Sequence, residues 1–181
     1  MQTNNWEKHR AHLHYSPSVK NSFGVILEDE RNTGRNNFGL QWNHLIFRKN
    51  TKISQANIYL KNGFGITNKQ NTENPFINSM ISGDWETRRY FLSYHLGGRY
   101  ANSFDNRSFH HTGRLGIAPY IKDYGSLHTW LMIQVEHHPE NPFGEDPVIA
   151  TPLLRFFKGD FLAELGYSSN QHFLLNWILR F

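Results

Sequence analysis

The chain has 181 residues, a formal net charge of +4 with its 11 histidines counted as neutral, 15% aromatic residues and no cysteine. Disulfides and Cys-based metal sites are excluded. A transmembrane helix is excluded too, because mean hydropathy is -0.62 and there is no apolar run of about 18 residues. The charge is spread rather than clustered, which leaves no nucleic-acid footprint.

In chain order, segments of period-2 alternation recur with turn residues between them, the pattern of an all-β chain. Trp6–Tyr15 alternates loosely, with Ala11, Leu13 and Tyr15 opposite Arg10, His12 and His14. Residues 1–21 are read as an N-terminal arm or plug and residues 22–181 as the β domain. The first clear strand is Ser22–Glu30, with Phe23, Val25 and Leu27 on one face. Asn37–Arg48 follows, with Phe38, Leu40, Trp42 and Ile46 in phase, then Lys52–Ile66 with Ala56, Ile58 and Leu60. Thr67–Pro75 reads as a long polar loop and Phe76–Asp84 as a weak strand. In Arg88–Tyr100 the apolar set Tyr90, Leu92, Tyr94 and Leu96 opposes Arg89, Ser93, His95 and Arg99. Ala101–His110 reads as another polar loop. His111–Ile121, Leu127–His137, Val148–Phe157 and Phe161–Ser169 complete the series up to the last strand. That gives about ten strands, and no repeat or linker divides them.

The last strand, His172–Phe181, is the most informative. Phe173, Leu175, Trp177, Leu179 and Phe181 share one face; His172, Asn176 and Arg180 share the other with Leu174 and Ile178. A lipid-facing strand needs such an outer stripe and tolerates mixed residues inside. An amphipathic terminal strand closing on Phe resembles the C-terminal signature of Gram-negative outer-membrane β-barrels. The resemblance implies a closed antiparallel up-and-down barrel in the bacterial outer membrane. It also implies that Phe173, Leu175, Trp177, Leu179 and Phe181 are read by the barrel-assembly machinery. The expected partners are therefore that machinery and the bilayer with its lipopolysaccharide, with no nucleic acid and no cofactor. The start Met1-Gln2-Thr3-Asn4-Asn5 has no basic or apolar signal character, so this reading requires that an export signal was removed.

Connection lengths agree with the barrel. With the last strand ending in the periplasm, Lys49–Thr51, the join near Asp84–Thr87, Lys122–Ser126 and Lys158–Asp160 become periplasmic, and all are short. Asn32–Asn36, Thr67–Pro75, Ala101–His110 and His138–Pro147 become extracellular, and the last three are long. Asn170-Gln171 is the short outer exception. The competing fold is a soluble β-sandwich or a lipocalin-like cup, in which the apolar face turns inward.

The faces opposite the apolar stripes carry the chemistry. Arg89, His95, Arg99, Arg114, His128, Glu136, Arg155, Glu164 and Arg180 are expected to line the lumen, with Glu28 among them. They either fill a narrow interior as ion pairs or line a pore that favours anions. His110-His111 and His137-His138 fall at the outer rim of neighbouring strands beside Glu136 and Glu140. They are candidate zinc or copper ligands, although no metal signature is present and adjacent residues of a strand point to opposite faces. Barrel enzymes offer two comparisons. Gly166-Tyr167-Ser168-Ser169-Asn170 is similar to the His-x-Ser region of lipid A deacylases, but Gly166 stands where the general base belongs. Asp105, His110, His137 and Glu140 match the residue types, but not a motif, of the omptin outer rim. No other catalytic motif is present. The favoured reading is a non-enzymatic narrow channel or a membrane-embedded module for envelope or surface interaction. The alternatives are an outer-rim enzyme acting on lipid A or peptides and a soluble lipocalin-like binding barrel.

Overall fold

A computed structural model describes residues 1–5, 7–31, 33–101, 107–123, 125–139 and 148–180; of Arg107 it describes the backbone alone. The elements are β1 (Gln2–Asn4), β2 (Lys8–Tyr15), β3 (Asn21–Glu30), β4 (Arg35–Asn50), β5 (Ser54–Lys69), β6 (Thr72–Thr87), β7 (Tyr90–Ala101), β8 (Arg107–Ile117), β9 (His128–His137), β10 (Val148–Lys158), β11 (Phe161–Tyr167) and β12 (Phe173–Leu179). Each strand pairs antiparallel with its neighbours in sequence, and β1 joins β12 to close the barrel. The seam is short: Gln2 lies opposite Trp177 and Asn4 opposite Leu175, while Gln2 also faces Ala11 on β2. The three-residue seam joins the sheet into a ring, the closed form that a strand structure takes in lipid.

The ten strands expected from alternation correspond to β3–β12. The additional pair, β1 and β2, lies in the segment read as an arm or plug, and that reading is corrected: both are barrel strands. β1 has three residues, too few to show a period, so the segment looked like one strand that would have made an odd count. Two strands keep the count even.

The β5–β6 connection is a second correction. The expected loop Thr67–Pro75 is instead the top of a hairpin closed by Gln70-Asn71, whose φ angles are 50° and 63°. Two consecutive positive φ values are those of a tight primed turn, whose twist matches the flanking strands. β4, β5 and β6 are each 16 residues long, beyond the 9–11 that span a bilayer. Their polar ends extend past the apolar band, where a strand reads like a loop. Part of the Ala101–His110 loop is likewise strand, since β8 starts at Arg107. At the other end β8 stops at Ile117, so residues 118–127 form a longer connection than the expected Lys122–Ser126 turn. That connection is tied down: Ala118 is buried and donates its backbone N–H to Arg89, and the Tyr120 hydroxyl bonds Thr129 at 2.7 Å.

Sidedness follows the alternation. On β4, Phe38, Leu40 and Trp42 are exposed while Asn37, Gly39 and Gln41 are buried. The same holds on β9, where Leu131, Ile133 and Val135 point out and Met132, Gln134 and Glu136 point in. The exposed outer wall is apolar and the buried inner set is rich in Asn, Gln, Ser, Thr and Glu. This is the reverse of a soluble barrel, and it overturns the lipocalin-like reading. An apolar surface that wraps the molecule needs lipid against it, because water-facing patches are seldom larger than a few hundred Å². A β-bulge between Leu45 and Phe47 shifts the phase and leaves both Ile46 and Phe47 on the surface.

Candidate functional site: the charged barrel interior

The end where β12 finishes is called lower and the opposite end upper. Two groups of charges bridge the interior at different heights. The upper group is built on β2, β3, β4 and β7. Arg99 donates to Glu30, to Asn37 Oδ1 at 2.6 Å and to Glu28 at 3.5 Å. Asn37 Nδ2 donates to both carboxylates, at 2.8 and 3.0 Å. Lys8 and Arg10 reach Glu28 from the other side at 3.7 and 3.8 Å. The Arg99 guanidinium lies 4.2 Å over the Phe76 ring. That ring in turn occupies space left by Gly39, where an added Cβ would meet it at 2.9 Å. One cation is thereby held by hydrogen bonds, by opposite charge and by a ring face.

The lower group centres on Glu164, which is 3% exposed. Its carboxylate accepts from Arg114 at 3.2 and 3.3 Å, from Arg155 Nε at 2.8 Å and from Asn176 Nδ2 at 2.9 Å. Arg114 also donates to Gln134 at 2.6 Å, and Arg155 covers the Phe91 ring at 4.5 Å. A buried carboxylate with this many charge-assisted donors is satisfied rather than strained.

The remaining expected lumen residues are distributed as follows. His95 and His128 lie on inward positions of β7 and β9, and His128 is 6.5 Å from the Phe157 ring. Glu136 is buried on β9, and its Oε2 has no hydrogen-bond partner among the described residues. Arg89 sits in the turn between β6 and β7 and Arg180 follows β12; both are exposed at the lower end, and Arg180 lies within electrostatic range of Glu86 on β6. Phe173, Leu175, Trp177 and Leu179 form an exposed outer stripe on β12, and Trp177 Nε1 donates to Gln2 across the seam. Phe181, Asp105 and Glu140 lie outside the described residues.

The histidine pairs are divided by the wall. His111 faces His137 across β8 and β9 with ring centroids 5.6 Å apart, on the outer side beside Tyr94 and Phe109. His110 and His138 stack separately at 6.2 Å. Among the described residues no group of three or more His, Asp or Glu side chains is placed to hold a metal ion. The four histidines therefore stand as two separate pairs. Nor does the deacylase-like segment show a nucleophile: Ser168 bonds the Asn170 side chain and the His172 backbone, closing the β11–β12 turn.

Lys8, Glu30, Asn37, Lys61 and Gln134 were not singled out from the sequence, and Arg10 and Asn176 were given a face but no role. For Lys8 the signal was present, since Lys8, Arg10, His12 and His14 alternate against His9, Ala11, Leu13 and Tyr15 on β2.

A closed antiparallel barrel with a lipid-type outer wall and a charged interior has the architecture of an outer-membrane porin. Among solved structures the chain is similar to a KdgM porin in complex with disordered oligogalacturonate, with a TM-score of 0.62, 11% identity and coverage of 99% of this chain and 96% of that one. A second KdgM porin structure aligns with a TM-score of 0.57 at 10% identity, over the same shares of the two chains. No protein-family model and no curated protein sequence matches. The shared property is the fold.

Proposed function

We propose that this protein is a narrow outer-membrane channel for small hydrophilic solutes, with a preference for anions. The observation that carries the reading is the interior itself. Arginines and lysines from β2, β5, β7, β8 and β10 project into a closed barrel whose outer wall is apolar. The bridges of Arg99 to Glu30 and of Arg114 to Glu164 narrow the lumen at two heights, which fits selective passage of small solutes better than bulk diffusion. The likeness to a porin crystallised with an acidic oligosaccharide supports acidic sugars as solutes to try first. The C-terminal stripe supports delivery by the barrel-assembly machinery, and the outer wall supports contact with lipopolysaccharide.

The test is conductance in planar bilayers under a salt gradient. A small unitary conductance with a reversal potential on the anion side is expected. Complete electrical silence of correctly folded protein would favour the second reading, a sealed scaffold for surface interaction, to which the two bridges also lend themselves.

A further inference from the structure

Between the two bridges the inner wall changes character. On β5 to β8, the row Lys61, Met80, Gly97, His110 and the row Tyr59, Ser82, His95, Thr112 lie between the rows of Arg99 and Arg114. Lys61 makes no ion pair among the described residues; its amine rests 5.9 Å from the Tyr59 ring. Three strands away in the sheet, β2 presents His12 and His14 with ring centroids 4.6 Å apart. His14 Nδ1 lies 3.4 Å from Asn43 Nδ2, and Asn43 is the register partner of Lys61. Gly24 on β3 makes room for the His14 ring, since a Cβ there would meet Nδ1 at 2.5 Å. Two buried ring nitrogens in this belt, His12 Nδ1 and His95 Nδ1, have no hydrogen-bond partner among the described residues.

The charges facing these groups are mostly of one sign. Lys61 lies within electrostatic range of Arg10, Arg114 and the single carboxylate Asp84. His12 faces Arg10, His14 and Lys61; His14 faces Arg10 and Lys61. His95 faces Lys61, Arg114 and His110. Asp84 is itself engaged by Asn57 Nδ2 at 2.7 Å. A buried lysine and unsatisfied imidazoles thus share a lumen segment in which cations outnumber their counter-charges.

We infer that Lys61, with His12, His14 and His95 around it, is a binding station for a small anion, a carboxylate or sulfate-type group. The lysine supplies a fixed charge and the imidazoles supply donors that an anion would satisfy. A bound anion offsets the repulsion between Lys61 and Arg10. The station deepens the channel reading and rests on it, since it requires that solutes enter the lumen.

The test is calorimetric titration of the full, detergent-folded chain with sodium sulfate and sodium glucuronate, neither of which titrates near neutrality. Lys61→Gln should weaken binding of both anions on the order of tenfold. The triple change His12→Gln, His14→Gln, His95→Gln should weaken it by a smaller factor, since the lysine charge remains. If the triple variant does not fold, NMR of the wild-type imidazoles should show the His12 and His95 signals moving on addition of sulfate. Absence of binding by the wild type overturns the station. So does unchanged affinity in Lys61→Gln, or imidazole signals that sulfate leaves in place. Binding without conductance in bilayers overturns the channel reading and leaves the station standing.

Discussion

Arg99 on β7 reaches across the barrel to Glu30 on β3, 69 residues earlier in the chain, while its guanidinium lies 4.2 Å over the Phe76 ring. The contact joins strands that are not neighbours in the sheet. It therefore restrains the cross-section of the barrel as well as narrowing it. The geometry favours Arg over Lys, because the planar group serves Glu30, Asn37 and the ring together.

Replacing Arg99 with Ala should raise unitary conductance and lower stability together. Removing the guanidinium opens the upper level and leaves Glu28 and Glu30 short of a counter-charge. Leaving buried polar partners unmatched costs about 1–3 kcal/mol. Bilayer recordings and urea unfolding in detergent read the two effects. A variant with unaltered conductance would show that the narrowing lies elsewhere.

Replacing Glu164 with Gln should act differently. Glu164 accepts from Arg114, Arg155 and Asn176, so its loss leaves two cations without their carboxylate. Breaking a buried pair in this way costs on the order of 3–5 kcal/mol. The amide keeps the volume, so no new conductance is expected. The check is a lower unfolding midpoint with an unchanged single-channel trace.

Much of this was legible in the sequence, because lipid on one side and water on the other enforce a strict two-residue period. Phe173, Leu175 and Trp177, or Leu131, Ile133 and Val135, declare an outer face without any knowledge of partners. What was hidden was hidden for physical reasons. β1 is too short to express a period. The ends of β5 and β6 stand clear of the apolar band, so Asn68, Lys69, Thr72 and Glu73 look like a loop although they pair in register. The bulge at Leu45/Phe47 changes phase within one strand. Alternation gives the face of Arg99 or Glu164 but not its partner, since the partner depends on strand order around a closed barrel. The same limit hid the belt of Lys61, His12, His14 and His95, which come from β5, β2 and β7.

The Gln70-Asn71 turn predicts a stabilising change. Both residues hold positive φ, a conformation that costs an L-residue roughly 1–2 kcal/mol. Gln is poorly suited to it, whereas Asn-Gly is the preferred pair for such hairpins. The double change Gln70→Asn, Asn71→Gly should therefore raise stability by about 1 kcal/mol and speed refolding of the β5–β6 hairpin. Denaturant midpoints and refolding rates in detergent test it. A drop in stability would mean that Gln70 makes a compensating contact above the barrel.

Deletion of Phe181 should separate assembly from folding. The outer stripe of β12 from Phe173 to Leu179 remains intact without it, so refolding in detergent should proceed as in the full chain. Insertion in cells should fall, because the resemblance of the last strand to the barrel-assembly signature rests on that terminal aromatic. Comparing heat-shifted gel mobility in vitro with outer-membrane fractions in vivo resolves the two. Equal insertion would remove Phe181 from any recognition role.

The outer wall makes the most direct prediction. Leu92, Tyr94, Leu131, Ile133, Leu175 and Trp177 are all exposed and lie on three strands, β7, β9 and β12. If lipid covers them, Leu131→Arg introduces a charge into hydrocarbon and should cost about 2–4 kcal/mol at the bilayer midplane, falling towards the interfaces. The neighbouring inward change Gln134→Glu meets Arg114 instead, which already bonds that side chain at 2.6 Å, so it should be tolerated. The opposed outcomes three residues apart on β9 are the signature of a wall with lipid outside and polar groups within. Folding into lipid vesicles, measured for both variants by urea titration, distinguishes them. A tolerated Leu131→Arg with a damaging Gln134→Glu would invert the barrel and refute the membrane assignment.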